Sequence, residues 1–372
     1  MLPLLDPVDP VTSGQPACAC AGLASRGAML WHDERQEWVA TREQSVRVVL
    51  DHPGCCVRPA GEPVPVALAG TVAGNAFGRL VRMSDGDGHC RAKEAIVAAL
   101  DATDLAEVRD LTRRWTSRLL ESGSTRLAFD VPMHVVGALL GVPDDRLPKV
   151  TSWTGSFAGA IAPQASAGAI ARGIDGARRL LAECSELLGR AETGSLAWKL
   201  QTAFARVGLD DRDAVIANAI GLLVQTHDAT AGLIGNAIVH LAARTDAIDA
   251  DLLLSPQVMD IVRRVSHRDP SIQNTRRFVA DDITVDGTSI PAGASILVLL
   301  AGANNGSTQS WEFGHGRHAC PGQAIALTIA AACVETLVSE GAVPAAVPSP
   351  IPYLDSSNAR IPRLAGFTGV AR

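Results

Sequence analysis

The sequence predicts a mainly α-helical protein with a small β portion, and three observations lead to this fold class. Residues 169–190 and 213–244 carry apolar side chains at helical spacing over long stretches. Residues 278–300 instead alternate with period two and contain the turn signals Asp286-Gly287 and Pro291-Ala292-Gly293. No internal repeat or low-complexity linker interrupts the chain, so we expect a single domain over residues 1–372.

The remaining elements are weaker and are predicted in chain order. Residues 1–30 are rich in Pro, Gly and Ala and are expected to be irregular. Residues 60–83 mix Pro, Gly and apolar residues without a clear period, which is typical of loops and short helices that line a pocket. We expect a strand at residues 38–41 and further helices at residues 43–50, 89–100, 106–121 and 131–140.

Composition excludes several classes of function. Hydrophobic residues make up 47% of the chain, enough for a large core, and the net charge of −6 argues against a nucleic-acid partner. No apolar run reaches the length of a membrane span, and the N-terminal residues do not form a signal peptide. We therefore expect a cytoplasmic protein with no membrane partner.

The eight cysteines do not indicate a disulfide framework in a chain of this length. Cys18 and Cys20, and the adjacent Cys55 and Cys56, could be interpreted as metal ligands. Neither pair has a second Cys or His pair at zinc-site spacing, so we expect buried, structural thiols.

One segment, residues 313–322, delivers a single cysteine, Cys320, to the start of an apolar helix at residues 323–338. Its two glycines allow tight backbone turns, and its proline suits the first turn of a helix. A thiol at a helix N-terminus experiences the positive end of the helix dipole, and Arg317 and His318 add positive charge. The arrangement favours a thiolate that is ready to bind a metal.

The residues Phe313, Gly316, Cys320 and Gly322 match the pattern Phe-x-x-Gly-x-x-x-Cys-x-Gly, and the segment resembles the haem-binding loop of the cytochrome P-450 family. The resemblance is to the soluble bacterial members. It implies the cytochrome P-450 fold, with haem b between helices I and L. It also implies that Cys320 is the axial iron ligand, that Phe313 packs beside its sulfur and that His318 contacts a haem propionate.

Two further segments resemble the same family. Residues 270–277 are similar to the strand after helix K, from which Arg277 would reach a haem propionate. Residues 85–93 resemble helix C, where His89 and Lys93 would face the second propionate because residues four apart share a helix face. Lysine replaces the more common arginine and would make a point-charge contact. The alternative for His89 and Lys93 is a solvated helix face.

Residues 222–232 carry a polar run in an apolar helix and resemble the family's helix I, which delivers protons on the oxygen side of the haem. Asp228 occupies the acid position and would be a catalytic proton relay. Ala229 stands where threonine is usual, and Thr230 follows one place later, about 100° around the helix. Thr230 therefore remains an open candidate, and a structural carboxylate in a helix kink is the alternative for Asp228.

The chain departs from the family at helix K and at the following meander. Counting back from Arg277, the usual Glu-x-x-Arg positions hold Arg264 and His267. A shifted alternative, residues 260–263, would restore an acid and an arginine. Only residues 306–312 separate Asn305 from the cysteine loop, where relatives carry a longer meander. The paired loss indicates an atypical member, through adaptation or decay.

The resemblance implies a haem-thiolate monooxygenase that oxidises a small or medium organic substrate with O2 and electrons from a ferredoxin and a ferredoxin reductase. A role in bacterial secondary metabolism or catabolism would be typical. Arg113, Arg114 and Arg317 could form a docking patch for an acidic ferredoxin, or simply a solvated surface. The substrate itself is not specified by the sequence.

The predicted pocket walls, residues 60–83, 153–169 and 364–368, are mostly small and apolar, which favours an apolar substrate. Two alternative functions stay open. The protein could use peroxide or catalyse a redox-neutral biosynthetic step, as the alanine at position 229 and the short meander suggest. It could also be a non-catalytic relative that binds haem or another ligand.

Overall fold

The computed structural model describes residues 6–243, 255–343 and 348–364. Its α-helices are α1 (Pro16–Arg26), α2 (Glu43–Asp51), α3 (Val72–Gly78), α4 (Gly86–Asp101), α5 (Leu105–Glu121), α6 (Leu127–Leu140), α7 (Leu147–Ala160), α8 (Ala167–Gly189), α9 (Leu196–Arg206), α10 (Arg212–Ala242), α11 (Ser255–Arg268), α12 (Leu300–Ala303) and α13 (Gln323–Ser339). Its strands are β1 (Met29–His32), β2 (Glu37–Ala40), β3 (Cys55–Cys56), β4 (Thr275–Val279), β5 (Ile283–Val285), β6 (Thr288–Ile290) and β7 (Ser295–Val298). This composition confirms the predicted fold class.

Helix α10 runs through the centre of the helical part. The Asp211 side chain accepts hydrogen bonds from the backbone N–H groups of Asp213 and Ala214, which fixes the start of the helix. Apolar side chains follow on every face, so the helix is buried all round and packs against α6, α7, α8, α11 and α13. The helix predicted at residues 213–244 is confirmed, except that Arg244 lies outside the described residues.

The β portion is a five-stranded sheet with the strand order β1-β2-β7-β4-β3 and a separate β5–β6 hairpin. Strands β2 and β7 are parallel, and the other neighbours in the sheet are antiparallel. Asp286 and Gly287 turn the hairpin with φ values of 47° and 77°, the backbone that Asp-Gly pairs favour. The period-two pattern of residues 278–300 is thus confirmed as strands.

The N-terminal prediction was wrong. Residues expected to be irregular form α1, which begins with Pro16 in its first turn and buries Cys20 and Leu23 against the sheet side of the molecule. Most of the Pro and Gly residues lie before this helix or at its ends, and Gly22 is the one glycine inside it. The helices α7 and α9 were also not predicted; both bury one face in the main core, which outweighs their weak local signals.

Four elements converge to position the candidate site. The residues before α13 contact the N-terminal half of α4, and they also contact β3, the neighbour of β4 in the sheet, through Arg317. Helix α10 packs against α13. Within the described part of the chain, no helix is long and apolar enough to cross a lipid bilayer.

Candidate functional site

Cys320 lies just before α13 in a loop that is closed by its own backbone. The N–H of Cys320 donates to the carbonyl oxygen of Phe313 at 2.7 Å. Gly314 and Gly316 have φ values of 70° and 60°, a backbone region that strongly favours glycine. A Cβ at Gly316 would collide with the carboxylate of Asp51. The turns that the sequence predicts are present, and they fix the direction from which the chain enters α13.

The Cys320 side chain is accessible to a water-sized probe, yet burial raises its pKa above the ordinary value. A hydrogen bond from the Gly322 N–H and the charges of Lys93 and Arg82 lower the pKa, whereas Glu312 raises it. Burial outweighs the helix dipole and the cations, so the free thiol is less acidic than the sequence suggested. Metal binding would release its proton.

The sequence predicted that the positive charge of Arg317 would lower the pKa of the Cys320 thiol, but the guanidinium is engaged elsewhere. Its guanidinium donates to the carbonyl oxygens of His52 at 3.1 Å and Cys55 at 2.8 Å, and it lies 3.5 Å from Asp85. It therefore joins the cysteine loop to α2, β3 and the start of α4. The cations that act on Cys320 come instead from α4 and from the turn before it.

Arg277 provides the clearest test of whether the residues fit a haem. Its side chain is 5% exposed, and its Nε has no hydrogen-bond partner among the described residues. Burial lowers its pKa to about 10, while Asp85 raises it and Arg317 lowers it. A buried guanidinium with an open donor is costly unless an anion pairs with it. A carboxylate such as a haem propionate meets that requirement.

His318 and His89 lie together between the cysteine loop and α4. Their ring centroids are 4.2 Å apart, and His318 Nε2 lies 3.0 Å from Asp85 Oδ1. Burial would raise the pKa of Asp85, but hydrogen bonds from His318 and the Val57 N–H outweigh it and lower the pKa to about 2. Burial lowers the pKa of His318, and the bond to Asp85 opposes this. Asp85 is thus a charged hydrogen-bond partner that fixes the orientation of the His318 ring.

Both ring nitrogens of His89 face backbone carbonyl oxygens. Nδ1 lies 2.8 Å from the oxygen of Val81, and Nε2 lies 3.2 Å from that of Arg317. Lys93, one turn later, donates to the carbonyl oxygen of Ala319. The i, i+4 pair therefore shares one face of α4, as predicted, and that face is packed on the cysteine loop rather than solvated.

Asp228 and Thr230 point to different sides of α10. The Asp228 side chain is 48% exposed, and its Oδ1 lies 2.6 Å from Nδ1 of His227. Thr230 is 3% exposed. Because each residue advances a helix by about 100°, residues two apart point about 200° apart. The structure pairs Asp228 with His227 and does not bring Thr230 to it.

Helix α11 lacks a buried ion pair within its described side chains. At the expected positions, His267 Nε2 lies 2.7 Å from the carbonyl oxygen of Ser307, and Asn304 donates to the His267 carbonyl at 2.7 Å. The shifted alternative is wrong. Asp260 and Arg263 are 3.9 Å apart, and their side chains are 65% and 63% exposed, so they form a surface pair.

A buried carboxylate that the sequence analysis missed lies just before Phe313. Glu312 Oε2 accepts hydrogen bonds from the backbone N–H of Ser271 at 2.7 Å and from its hydroxyl at 3.0 Å. Burial raises the pKa of Glu312 to about 7, although its hydrogen bonds oppose the shift. The signal available in the sequence was a single acidic residue in an otherwise uncharged approach to the cysteine loop.

The proposed arginine patch is only partly present. Arg113 lies 3.2 Å from Glu335 and 3.8 Å from Asp110 on α5, whereas Arg317 is held by the contacts described above. Arg113 and Arg114 remain exposed on α5. Of the predicted patch, only Arg113 and Arg114 therefore remain, because Arg317 is bound to other residues.

The other cysteines do not form a metal site in the described residues. Cys20 and Cys55 are buried, and burial raises the pKa of each to about 11. No group of three or more His, Cys, Asp or Glu side chains able to hold a metal ion occurs in the part of the chain that the structure describes. Cys18 is exposed and Cys56 is partly buried, so the prediction of buried thiols holds for Cys20 and Cys55 and is wrong for Cys18.

No protein-family model matches the chain. Two curated bacterial proteins are similar in sequence. Cytochrome P-450 107B1 of Saccharopolyspora erythraea is 28% identical over 274 residues, which are 65% of this chain and 65% of that protein. Cytochrome P-450 monooxygenase PikC of Streptomyces venezuelae is 29% identical over 239 residues, 57% of this chain and 54% of that one. The matched region thus spans less than two thirds of either relative.

The fold is similar over a much larger part of the chain. The crystal structure of CalO2 superposes with a TM-score of 0.84 at 21% identity and covers 98% of both chains. Epothilone B-bound cytochrome P-450epoK superposes with a TM-score of 0.82 at 18% identity and covers 97% of this chain and 99% of that one, so the architecture built around α10 and α13 is the one found in cytochromes P-450. The chain therefore has the cytochrome P-450 fold, and it is similar in sequence to bacterial members of that superfamily.

Proposed function

We propose that the protein is a haem-thiolate monooxygenase, which inserts one oxygen atom from O2 into a small or medium organic substrate. The observation that carries the proposal is Cys320, an exposed thiol that lies just before α13 in a cytochrome P-450 fold. When bound, haem b with an axial thiolate supplies oxygen activation, because electron density from sulfur favours O–O cleavage.

The described residues fit this cofactor. Cys320 would be the axial ligand, with Phe313 and Gly322 shaping its loop. Arg277 has the open buried donor for one propionate, and His318 lies in the same charged cluster. Lys93 would face the second propionate from α4. His89 joins α4 to the cysteine loop through the Arg317 carbonyl and to the preceding turn through the Val81 carbonyl, and its own propionate contact stays a prediction.

On the side of the haem opposite Cys320, Asp228 would hold the proton that the oxygen chemistry consumes. The imidazole of His227 lies 2.6 Å from it and could return a proton to the carboxylate after each turnover. Thr230 is buried two residues away, so its hydroxyl would act through another group rather than beside Asp228. Its catalytic role remains a prediction.

Electrons would come from a ferredoxin and a ferredoxin reductase. The exposed Arg113 and Arg114 are cations that an acidic ferredoxin could contact. The names of the relatives support oxygenase chemistry: PikC is called a monooxygenase. We propose the same reaction class for this chain, in bacterial secondary metabolism or catabolism, without assigning a substrate.

A carbon-monoxide difference spectrum of the reduced, haem-loaded protein tests the proposal. Thiolate ligation gives a red-shifted absorption band that nitrogen ligation does not give. We expect this band in the wild type, its loss in Cys320→His, and its retention in Cys18→Ser, which removes an exposed cysteine of α1. A wild type that lacks the band, or a Cys320→His variant that keeps it, would contradict the proposal.

A second candidate is peroxide-driven oxidation or a redox-neutral conversion at the same haem. It is favoured by Ala229, which leaves the helix without a hydroxyl at that position. Product formation with hydrogen peroxide, or without any electron donor, would support it, and strict dependence on the reduced ferredoxin would exclude it. Ligand-induced spectral changes without turnover under any of these conditions would indicate a non-catalytic relative.

A further inference from the structure

A groove with a volume of about 620 Å³ lies on the protein surface between α1 and α2. Residues of α1, α2 and α12 line it, together with Asn305, which follows α12 in the chain. None of the residues that we assign to the haem or to proton delivery is part of this lining. The proposed function therefore leaves the groove unused.

The groove is locally positive. Its lining contains Arg42 and Arg47 against one carboxylate, Glu43, which gives a net charge of +1. Glu43 lies 3.0 Å from Arg47. The Nε of Arg42 donates to the carbonyl oxygen of Ala24 at 2.9 Å and so joins the start of α2 to α1. Among the described residues, the other N–H groups of this exposed guanidinium have no hydrogen-bond or ion-pair partner, so they are open to an anion.

The net charge of the whole molecule makes this local charge informative. The chain carries a net charge of −6, so its average field repels an acidic protein. Such a partner is oriented by the places where cations outnumber carboxylates. The groove is such a place, and the charge of its lining is opposite to that of an acidic partner.

The groove is connected to the cysteine loop through Trp311. The guanidinium of Arg47 lies 4.9 Å from the centroid of the Trp311 ring, and Trp311 is 0% exposed. Trp311 stands two residues before Phe313, whose carbonyl oxygen accepts the N–H of Cys320 at 2.7 Å. The rate of electron tunnelling falls steeply with distance. This short connection to the proposed iron ligand therefore favours the groove as the point where electrons enter.

The cations of α5 lack both properties. Arg109 and Arg113 each lie 3.2 Å from the shared carboxylate of Glu335, and Arg118 lies 2.9 Å from Asp144. In the described part of the chain, none of these three arginines forms a hydrogen bond or an ion pair with the cysteine loop. Their charges are compensated by neighbours, so the groove is the better surface for an acidic electron donor.

We propose that the groove between α1 and α2 is the docking site of the electron donor, an acidic ferredoxin. A carboxylate of the ferredoxin would pair with the open end of the Arg42 guanidinium through two parallel N–H···O bonds. The reduced ferredoxin then loses one electron, which the haem iron takes up, and no atom is exchanged between the two proteins. This inference rests on the proposed function and names the surface that its partner uses.

Calorimetric titration of haem-loaded protein with ferredoxin at low ionic strength tests the inference. The probes are a 2Fe–2S ferredoxin and a 3Fe–4S ferredoxin, and we expect at least one of them to bind the wild type. Arg42→Glu reverses the open charge and Gln44→Trp fills the groove, so each should raise the Kd about tenfold or more. Arg206→Glu, which reverses an exposed charge at the end of α9, is the control and should keep the wild-type Kd.

The rate of haem reduction under carbon monoxide separates loss of docking from loss of structure. With subsaturating reduced ferredoxin, Arg42→Glu and Gln44→Trp should be reduced about tenfold more slowly than the wild type. Dithionite is a small reductant that needs no docking site, so it should reduce every variant at the wild-type rate.

Unchanged ferredoxin binding in Arg42→Glu or in Gln44→Trp would overturn the inference. A larger loss of binding in Arg114→Glu on α5 would do the same. A wild type that loads haem but binds neither ferredoxin would refute the partner named here and leave the haem assignment intact. A wild type that takes up no haem would refute the proposed function as well.

Discussion

Ser271 donates two hydrogen bonds to the same carboxylate oxygen of Glu312, one from its backbone N–H at 2.7 Å and one from its hydroxyl at 3.0 Å. This contact joins the segment before β4 to the segment before the cysteine loop. It lies in the region where the usual ion pair of helix K is missing.

Glu312 makes stability depend on pH. Burial raises its pKa from 4.5 to about 7, so the folded protein binds this proton more tightly than the unfolded chain does. The contribution is full below pH 4.5 and is lost as the pH rises towards 7, a change of the order of 3 kcal/mol. Glu312→Gln removes the titration, so the variant should gain stability relative to the wild type between pH 4.5 and 8.

Urea unfolding at pH 5 and pH 8 measures this difference. Glu340→Gln changes an exposed glutamate at the end of α13 and serves as the control, with a pH dependence parallel to that of the wild type. If Glu312→Gln also runs parallel to the wild type, the buried carboxylate is not the titrating group.

Arg277→Gln should weaken haem retention, because it removes the buried charge whose Nε has no partner among the described residues. We expect haem to leave about tenfold faster, as for loss of one charged hydrogen bond. Transfer of haem to apomyoglobin measures the rate. The matched control is Arg276→Gln on the same strand, where the wild-type side chain pairs with Glu37 at 2.9 Å. Equal rates for the two variants would exclude Arg277 as a propionate partner.

Asp228→Asn should lower the rate of product formation by about a hundredfold while leaving the spectral binding constant of the substrate near that of the wild type. The amide keeps the size of the side chain but cannot hold the proton. Turnover is measured with saturating ferredoxin, and His227→Gln should give a smaller loss through the same pair. An Asp228→Asn enzyme with a normal rate would show that the carboxylate is structural.

Asn304→Ala should destabilise the fold, because Asn304 joins α11 to the segment before the cysteine loop. Its amide donates to the His267 carbonyl at 2.7 Å and accepts from the Trp311 N–H at 2.9 Å. Leaving two such groups without a partner should cost about 2–4 kcal/mol. Chemical denaturation of Asn304→Ala and of Asn305→Ala, its exposed neighbour, measures the difference. Equal stability of the two variants would contradict this role.

Local patterns in the sequence were sufficient for much of the fold. The spacing of Phe313, Gly316 and Cys320 predicted the loop before α13, and the alternation at residues 278–300 predicted strands. These features depend on residues that are near in the chain, where turn chemistry and periodicity act directly. The same holds for His89 and Lys93, which are one helical turn apart.

Contacts between distant segments could not be obtained this way. Ser271 and Glu312 are separated by many residues, and nothing in either local pattern indicates the other. The helix α1 was missed because tertiary burial of Cys20 decided its conformation rather than its Pro and Gly content.

The link between α11 and the cysteine loop through His267, Asn304 and Ser307 consists of amide, imidazole and carbonyl dipoles instead of opposite charges. Dissolved ions screen net charges and have little effect on such short dipolar contacts. This link should consequently be almost indifferent to ionic strength. If the proposed haem and ferredoxin bind, molar sodium chloride should dissociate the ferredoxin well before it releases the haem.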